Sequence, residues 1–240
     1  MSSNKDTFHF KQFSVVHEAS SMKVGIDGVL IGAWAEVKGK RGLDIGCGCG
    51  LIALMAAQRN NDCFIEAIDI HRASIEECRL NFLSAPWGDR LSAEQKDIDD
   101  LQKENLGKYD FIISNPPFFQ SGLKNPETPR EKARHISRLS QFTLPSIGKN
   151  LLKENGRLSF IFPYEYTKEI IRTGEEIGLW VEKICIVSNS PKHNPKRTLI
   201  TMMPGRRKEE AEITELCIRD QKGEYSEEYR TLTGPFYLNF

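Results

Sequence analysis

The stretch "SNPPFF", Ser114–Phe119, directly follows the apolar run "YDFII". Two prolines lack the N–H that a β-ladder needs, so a strand must stop here. The stiff turn carries one amide side chain, Asn115, and two rings, Phe118 and Phe119. One reading is a strand terminator that folds its rings into the core, with Asn115 a turn former before proline. The other is a pocket for a flat, amino-bearing ring. An exocyclic ring amine is planar and a poor nucleophile, because its lone pair is delocalised. Two oxygen acceptors on its N–H groups favour the tetrahedral nitrogen of a transition state. Asn115 Oδ1 and the Pro116 carbonyl are the candidates; Pro116 and Pro117 hold the turn stiff, and Phe118 would stack on the ring. Phe119 fits core packing and ring contact equally.

A second group is "LDIGCGCGLIAL", Leu43–Leu54, a glycine-rich turn between a strand and a helix. Glycine has no Cβ to keep a ligand off the backbone. The dinucleotide fingerprint G-x-G-x-x-G would need a glycine where Leu51 stands. The pattern is instead G-x-G-x-G, from Gly46, Gly48 and Gly50, preceded by Asp44. An acid at the mouth would repel a pyrophosphate and accommodate a cationic amino-acid tail; a plain tight turn is the alternative. Asp69 ends the second strand and can accept from both hydroxyls of a ribose, or cap the helix that follows. Asp97, after the third strand, can accept from an adenine amino group while Ile98 packs on the ring, although Asp99 and Asp100 compete for such a role. Cys47 and Cys49 sit two apart, and no two further ligands at similar spacing accompany them, so no metal is expected.

These groups need elements to position them. "RGLDIG", "CFIEAIDI", "LSAEQKDI", "YDFIIS", "RLSFIFP", "LWVEKICIVS" and "RTLITMMPG" read as seven strands. Helices read over "LIALMAAQR", about Ala73–Leu83, "SIGKNLLKENG" closing on Gly156, and "EYTKEIIRTGEEIG" ending at Gly178. Strand–helix alternation with continuous apolar strands predicts a mostly parallel sheet covered on both faces. The short loop "NSPKHNPK" makes the last two strands antiparallel. At 240 residues the chain is most simply one domain, 1–240, with residues 1–40 as an N-terminal extension to a core over 41–240.

Lys plus Arg equals Asp plus Glu at 33 each, so net charge offers no pointer to nucleic acid. There is no apolar run of bilayer length, and the start "MSSNKDTFHF" lacks a signal-peptide core, so a cytoplasmic protein without a membrane partner is expected. The six scattered cysteines, none in a C-x-x-C pair, fit reduced thiols. Nothing in the sequence dictates an oligomeric state.

Asp44–Gly50, Asp69, Asp97 and "NPPF" in this order resemble the class I S-adenosylmethionine-dependent methyltransferases over about residues 41–120. The alternation extends the likeness to about residue 204. With "FHFKQFSVVHEASSMKVGIDGVLIGAW", "PREKARHISRLSQFTL" and "YSEEYRTLTGPFYLNF", the whole chain is similar to the bacterial tRNA1(Val) (adenine(37)-N6)-methyltransferase family. The resemblance implies a Rossmann-like fold, S-adenosyl-L-methionine as cofactor, and the anticodon loop of tRNA1(Val) as partner. It also implies cofactor contacts from Lys23, Gly25 and Asp27, which would help close the site, and from Asp44, Gly46, Cys47, Gly48, Gly50, Asp69, Ile70, Asp97, Ile98 and Asn115.

Local basic runs would bind phosphates without a basic whole. Arg130, Lys132, Arg134 and His135, with Lys124 and Arg138, form one; Lys192, Lys196 and Arg197 a second; Arg206 and Arg207 a third. A solvated helix face and loop explain any one of them as well. The tetrapeptide alone also suits guanine N2 of ribosomal RNA or a protein glutamine amide, and a cofactor-binding module without catalysis is a third reading. An intact Asn115-Pro-Pro-Phe argues against the last, since a pure binder needs no amine acceptors.

Overall fold

In the computed structural model, which describes residues 6–20, 23–104, 106–118, 139–205 and 210–239, the apolar runs meet in one eight-stranded sheet. Its strands are β3 (Arg41–Ile45), β4 (Phe64–Asp69), β5 (Leu91–Gln95), β6 (Tyr109–Ser114), β7 (Leu152–Pro163), β8 (Leu179–Ser188), β9 (Arg197–Pro204) and β10 (Glu212–Cys217). They lie in the order β10-β8-β9-β7-β6-β3-β4-β5, and β1 (Thr7–His9) and β2 (Ser14–Val16) form a separate hairpin. β9 runs antiparallel to both β7 and β8, and every other neighbouring pair is parallel. All seven expected strands form. The eighth, β10, extends the sheet beyond β8. It escapes a search for apolar runs because, as an edge strand, it leaves Glu212, Ile213, Thr214 and Glu215 exposed.

Side chains alternate across the sheet and fill two cores. Phe111 and Ile113 of β6 point into one, with Leu30, Met55, Cys78 and Tyr229. Ile112 points into the other, with Leu101, Leu151, Phe160, Phe162 and Ile170. The first core lies under α1 (Ile26–Trp34), α2 (Leu51–Arg59), α3 (Arg72–Leu83) and α7 (Glu227–Thr233). The second lies under α4 (Ile98–Glu104), α5 (Leu144–Leu151) and α6 (Thr167–Glu176).

Helix α1, in the N-terminal extension, meets α2 at close range because Gly28 and Gly32 have no side chains. A Cβ on Gly32 would lie 2.7 Å from Met55 Sδ. Arg59 then donates to the Gly32 and Ala35 carbonyls at 3.0 and 2.7 Å, satisfying the end of α1. The β1–β2 hairpin is held by stacked Phe10 and Phe13, by Trp87 against Phe13, and by a bond from Lys11 N–H to the Phe236 carbonyl at 2.8 Å.

One expected helix is shorter than its pattern. It stops at Leu151 rather than closing on Gly156, because Leu152 pairs with Tyr109 and opens β7. Residues 153–156 form an irregularity before Arg157 pairs with Phe111. A Cβ at Gly156 would meet the Tyr109 carbonyl at 2.8 Å, so that glycine serves a close strand approach. At the other predicted stop, Gly178 takes φ +81° after α6.

Gly50 caps α2 at φ +84°, and a Cβ there would sit 2.6 Å from both Cys78 Sγ and the Phe82 ring. Gly50→Ala should therefore lose about 2–4 kcal/mol of stability, from backbone strain and overpacking together. Urea unfolding checks this; a loss within experimental error of zero would contradict the packing described.

Candidate functional site

The topology decides where a ligand can sit. From β3 the chain moves outward through β4 and β5, then returns to place β6 on the other flank of β3. Flanking connections diverge at such a switch point, and a crevice opens beyond the carboxyl ends of the strands. Ile45 and Ser114, the last residues of β3 and β6, are register partners. Ser114 Oγ donates to the Ile45 carbonyl at 2.7 Å. Gly46 and Asn115 thus leave the sheet side by side, and both line a cavity of about 300 Å³.

The glycine loop is shaped by its neighbour strand. Gly46 and Cys47 N–H both donate to the Ile68 carbonyl, at 2.9 and 3.0 Å, and Gly48 N–H donates to Asp69 Oδ2 at 3.0 Å. Asp69 Oδ1 accepts from His71 N–H at 2.9 Å, so this buried carboxylate braces both the loop and the start of α3.

Asp44 lies deeper than an acid at the mouth. It is 1 % exposed within β3, and Oδ2 accepts from Ala53 N–H at 3.1 Å, while Oδ1 has no partner among the described residues. Burial pushes its carboxyl up to about 7; the Ala53 bond works against this and the charge of Asp69 adds to it. Asn115 is buried too, and its Oδ1 has no partner among the described residues. Unpartnered buried oxygens each cost about 1–3 kcal/mol, and they ask for an explanation such as an incoming donor. In the same turn Pro116 is buried, Pro117 exposed, and Phe118 partly buried against the second core.

The facing wall comes from the N-terminal extension. Lys23, Gly25 and Asp27 line the cavity opposite Gly46, Cys47 and Gly48. Burial raises the Asp27 carboxyl, and the bonded guanidinium of Arg197 opposes that rise. Lys23 Nζ lies 3.3 Å from Asp6. Arg197, expected to face RNA, forms an ion pair with Asp27, because β9 begins at this wall. Lys196 stays exposed. Arg130, Lys132, Arg134 and His135, like Phe119, lie outside the described residues.

Other expected contacts stand off the cavity: Asp44, Gly50, Asp69, Ile70, Asp97 and Ile98 do not line it. Asp97 Oδ1 accepts from Asp99 N–H at 3.0 Å at the start of α4. Ile98 opens that helix, which turns it into the second core at 5 % exposure. Conversely, Ile26, Gly28, Cys49, Leu51 and Ile52 complete the lining. Two residues that motif reasoning missed hold the extension in place. Glu77 accepts from Ala19 N–H at 2.7 Å and Ser20 N–H at 3.1 Å. Asn81 accepts from Val16 N–H at 2.9 Å and donates to the Val16 and Cys49 carbonyls at 2.8 and 2.9 Å. Their one signal in the sequence is a pair of polar residues at i, i+4 on α3.

The six cysteines are free thiols, and among the described residues no group of three or more His, Cys, Asp or Glu could hold a metal. No described helix is long and apolar enough to cross a membrane.

Comparison with known proteins follows the same lines. Residues 27–162 match the methyltransferase small domain family. A tRNA1(Val) (adenine(37)-N6)-methyltransferase of Phocaeicola vulgatus is 40% identical over 233 residues, covering 97% of each chain. Its counterpart in Mannheimia succiniciproducens is 36% identical over 234 residues, covering 97% of this chain and 95% of that one. Among solved structures, a predicted O-methyltransferase of Agrobacterium tumefaciens superposes with TM-score 0.66 at 18% identity, covering 88% of this chain and 96% of that one. TYW2 of P. horikoshii in complex with MeSAdo gives TM-score 0.60 at 12% identity, covering 84% and 71%. Those two likenesses show a shared Rossmann-like methyltransferase fold. With relatives this similar across nearly its full length, the chain belongs to the tRNA1(Val) (adenine(37)-N6)-methyltransferase family.

Proposed function

We propose that this protein transfers a methyl group from S-adenosyl-L-methionine to N6 of adenine 37, next to the anticodon of tRNA1(Val), in the cytoplasm. The observation that carries the reading is the buried, unpartnered Asn115 Oδ1 on the wall of a cavity shared with the glycine loop. The relatives' names favour adenine over guanine N2 of ribosomal RNA or a protein glutamine. In this reading the whole chain works as one unit, and residues 1–40 close the cofactor site.

The residues present fit the cofactor. Gly46, Cys47 and Gly48 expose backbone to the cavity, and Asp44 Oδ1 lacks a donor beneath them. Gly46, Cys47 and Gly48, with Lys23, Gly25 and Asp27 across the cavity, would hold it. Asp69 for the ribose, and Asp97 and Ile98 for the base, stand off that cavity and would be met where the ligand runs on along the strand ends. When bound, S-adenosylmethionine supplies an electrophilic methyl on a sulfonium, whose departure leaves a neutral thioether.

Asn115 Oδ1 and the Pro116 carbonyl would accept hydrogen bonds from the two N6–H groups of the target adenine, and the methylated, cationic nitrogen then loses one of these protons to water. Acceptors on both hydrogens favour pyramidal nitrogen and disperse the positive charge that develops there. Phe118 would stack on the ring and fix the nitrogen's approach. An anticodon-loop base is already outside a duplex, so bringing it to this turn costs less than extrusion from paired RNA.

Labelled methyl transfer to valine tRNA, followed by nucleoside analysis, should yield N6-methyladenosine at position 37. Transfer to another nitrogen, or to no RNA, would reject the reading. Asn115→Ala should lower kcat by about 10²–10³-fold while cofactor affinity changes by less than about threefold. Equal losses in both would make Asn115 a cofactor ligand only.

Asp44 predicts a pH signature. Its native carboxyl keeps a proton up to about 7, whereas the unfolded carboxyl releases it near 3.8. The native state thus binds the extra proton, and this group's contribution to stability declines as pH rises through that window, by up to about 4 kcal/mol. Denaturant unfolding of the ligand-free protein from pH 5 to 7 should show a steeper decline for wild type than for Asp44→Asn. Parallel profiles would contradict the assignment.

A further inference from the structure

A second cavity, about 340 Å³, lies between the loop after β8 and the loop after β10, lined by residues 189–193 and 219–223. None of the methyl-transfer roles above uses it. β8 and β10 run in the same direction as β6 and β7, so their loops leave the edge of the sheet that also carries Asn115. β8 is three strands from β6 and β10 four, which at ~4.8 Å per strand places the cavity about 14–19 Å along that edge.

The cavity is basic in a specific way. Lys192, His193, Arg219 and Lys222 line it against one acid, Asp220. Asp220 Oδ1 is occupied by the N–H groups of Lys222 and Glu224, at 2.8 and 3.0 Å, so this carboxylate forms the turn. Arg219 lies 4.6 Å from the Tyr225 ring centroid and donates Nη1 to the Gly223 carbonyl at 2.7 Å. Its guanidinium is therefore held in place before any ligand arrives. His193 Nδ1 meets Ser190 Oγ at 2.6 Å, which leaves Nε2 for another contact. Lys192 and Lys222 have no ion-pair partner among the described residues. Backbone bonds from Ile218 and Arg219 N–H to the Ser188 and Asn189 carbonyls, at 2.9 and 3.0 Å, tie the two loops together.

We propose that this cavity anchors a backbone phosphate of the substrate RNA, a few nucleotides from the base held at Asn115. The proposal rests on the RNA-methylating reading above and adds where that RNA is gripped. A pre-set guanidinium, two ammonium groups and an imidazole match a phosphodiester, which offers only acceptors. Contacts of this kind supply affinity and position without reading sequence. They also let a protein of zero formal net charge hold RNA locally.

The test measures tRNA binding by the full-length protein between 50 and 200 mM salt, for wild type and for Lys192→Ala/Lys222→Ala. Losing this phosphate contact should reduce the slope of log affinity against log salt by about 0.7–0.9 and raise KM for tRNA. kcat at saturating tRNA and the cofactor Kd should stay at wild-type values, and Lys192→Arg/Lys222→Arg should restore the slope. An unchanged slope and affinity in the alanine variant would overturn the proposal. So would loss of inorganic phosphate binding, followed by calorimetry, with tRNA binding intact, since the cavity would then serve a small free anion. Failure of wild type to methylate any tRNA would instead sink the activity reading, so the two failures are separable.

Discussion

The site depends on the pairing of β3 with β6. That pairing joins segments far apart in sequence, and its last register pair, Ile45 and Ser114, sets which residues follow into the crevice. A register slip of one residue would reverse which face each β6 side chain meets, moving Ile112 and Ile113 to opposite cores. The two cores flank this sheet, with Phe111 and Ile113 in one and Ile112 in the other, so packing opposes the slip. The bond from Ser114 Oγ to the Ile45 carbonyl makes the same choice with a polar contact, since a buried hydroxyl without it would be unsatisfied. The Gly46 loop and Asn115 are consequences of that register.

Around this pair the protein tolerates groups that work against folding. Asp44 and Asn115 each leave one buried oxygen without a donor among the described residues, and Gly50 accepts a left-handed backbone to bring α2 against Cys78 and Phe82. Such features persist where surrounding contacts over-determine them. Here the contacts are specific. Asp69 braces the loop through Gly48, and Asn81 joins the Cys49 carbonyl to the N-terminal strand at Val16. Loop and extension are thus coupled through one side chain, and the wall carrying Lys23 and Asp27 is set in part by α3.

Much of this was legible because local chemistry dictates it. Prolines ended β6 where the run of apolar residues stopped, and Gly178 marked the end of α6 by its need for positive φ. Gly156 misled for an instructive reason: a glycine after a lysine-rich helix suits a helix stop, but here pairing of Leu152 with Tyr109 took the chain into the sheet first. β10 was invisible because an edge strand buries little, and apolar runs report burial. At the site, motif spacing pointed to residues on strand ends but could not say which face the crevice. Asp44 and Ile98 proved to lie below it, the first within its strand and the second at the first turn of α4. Glu77 and Asn81 act on backbone across long sequence separations, which no local pattern encodes.

The antiparallel strand gives the architecture its last constraint. β9 enters the sheet between β7 and β8 from the crevice edge, so its first residue, Arg197, stands beside the extension and pairs with Asp27. A parallel strand in that place would begin at the opposite edge, and its last residue rather than its first would stand beside the extension. The same reversal makes β8 and β9 a hairpin whose loop, through Lys196, lies on the crevice edge, with the loop after β10 bonded to it. One insertion therefore fixes an ion pair in the wall of the first cavity and sets a basic rim along the same edge. A ligand large enough to span both would meet chemistry at one end and charge at the other.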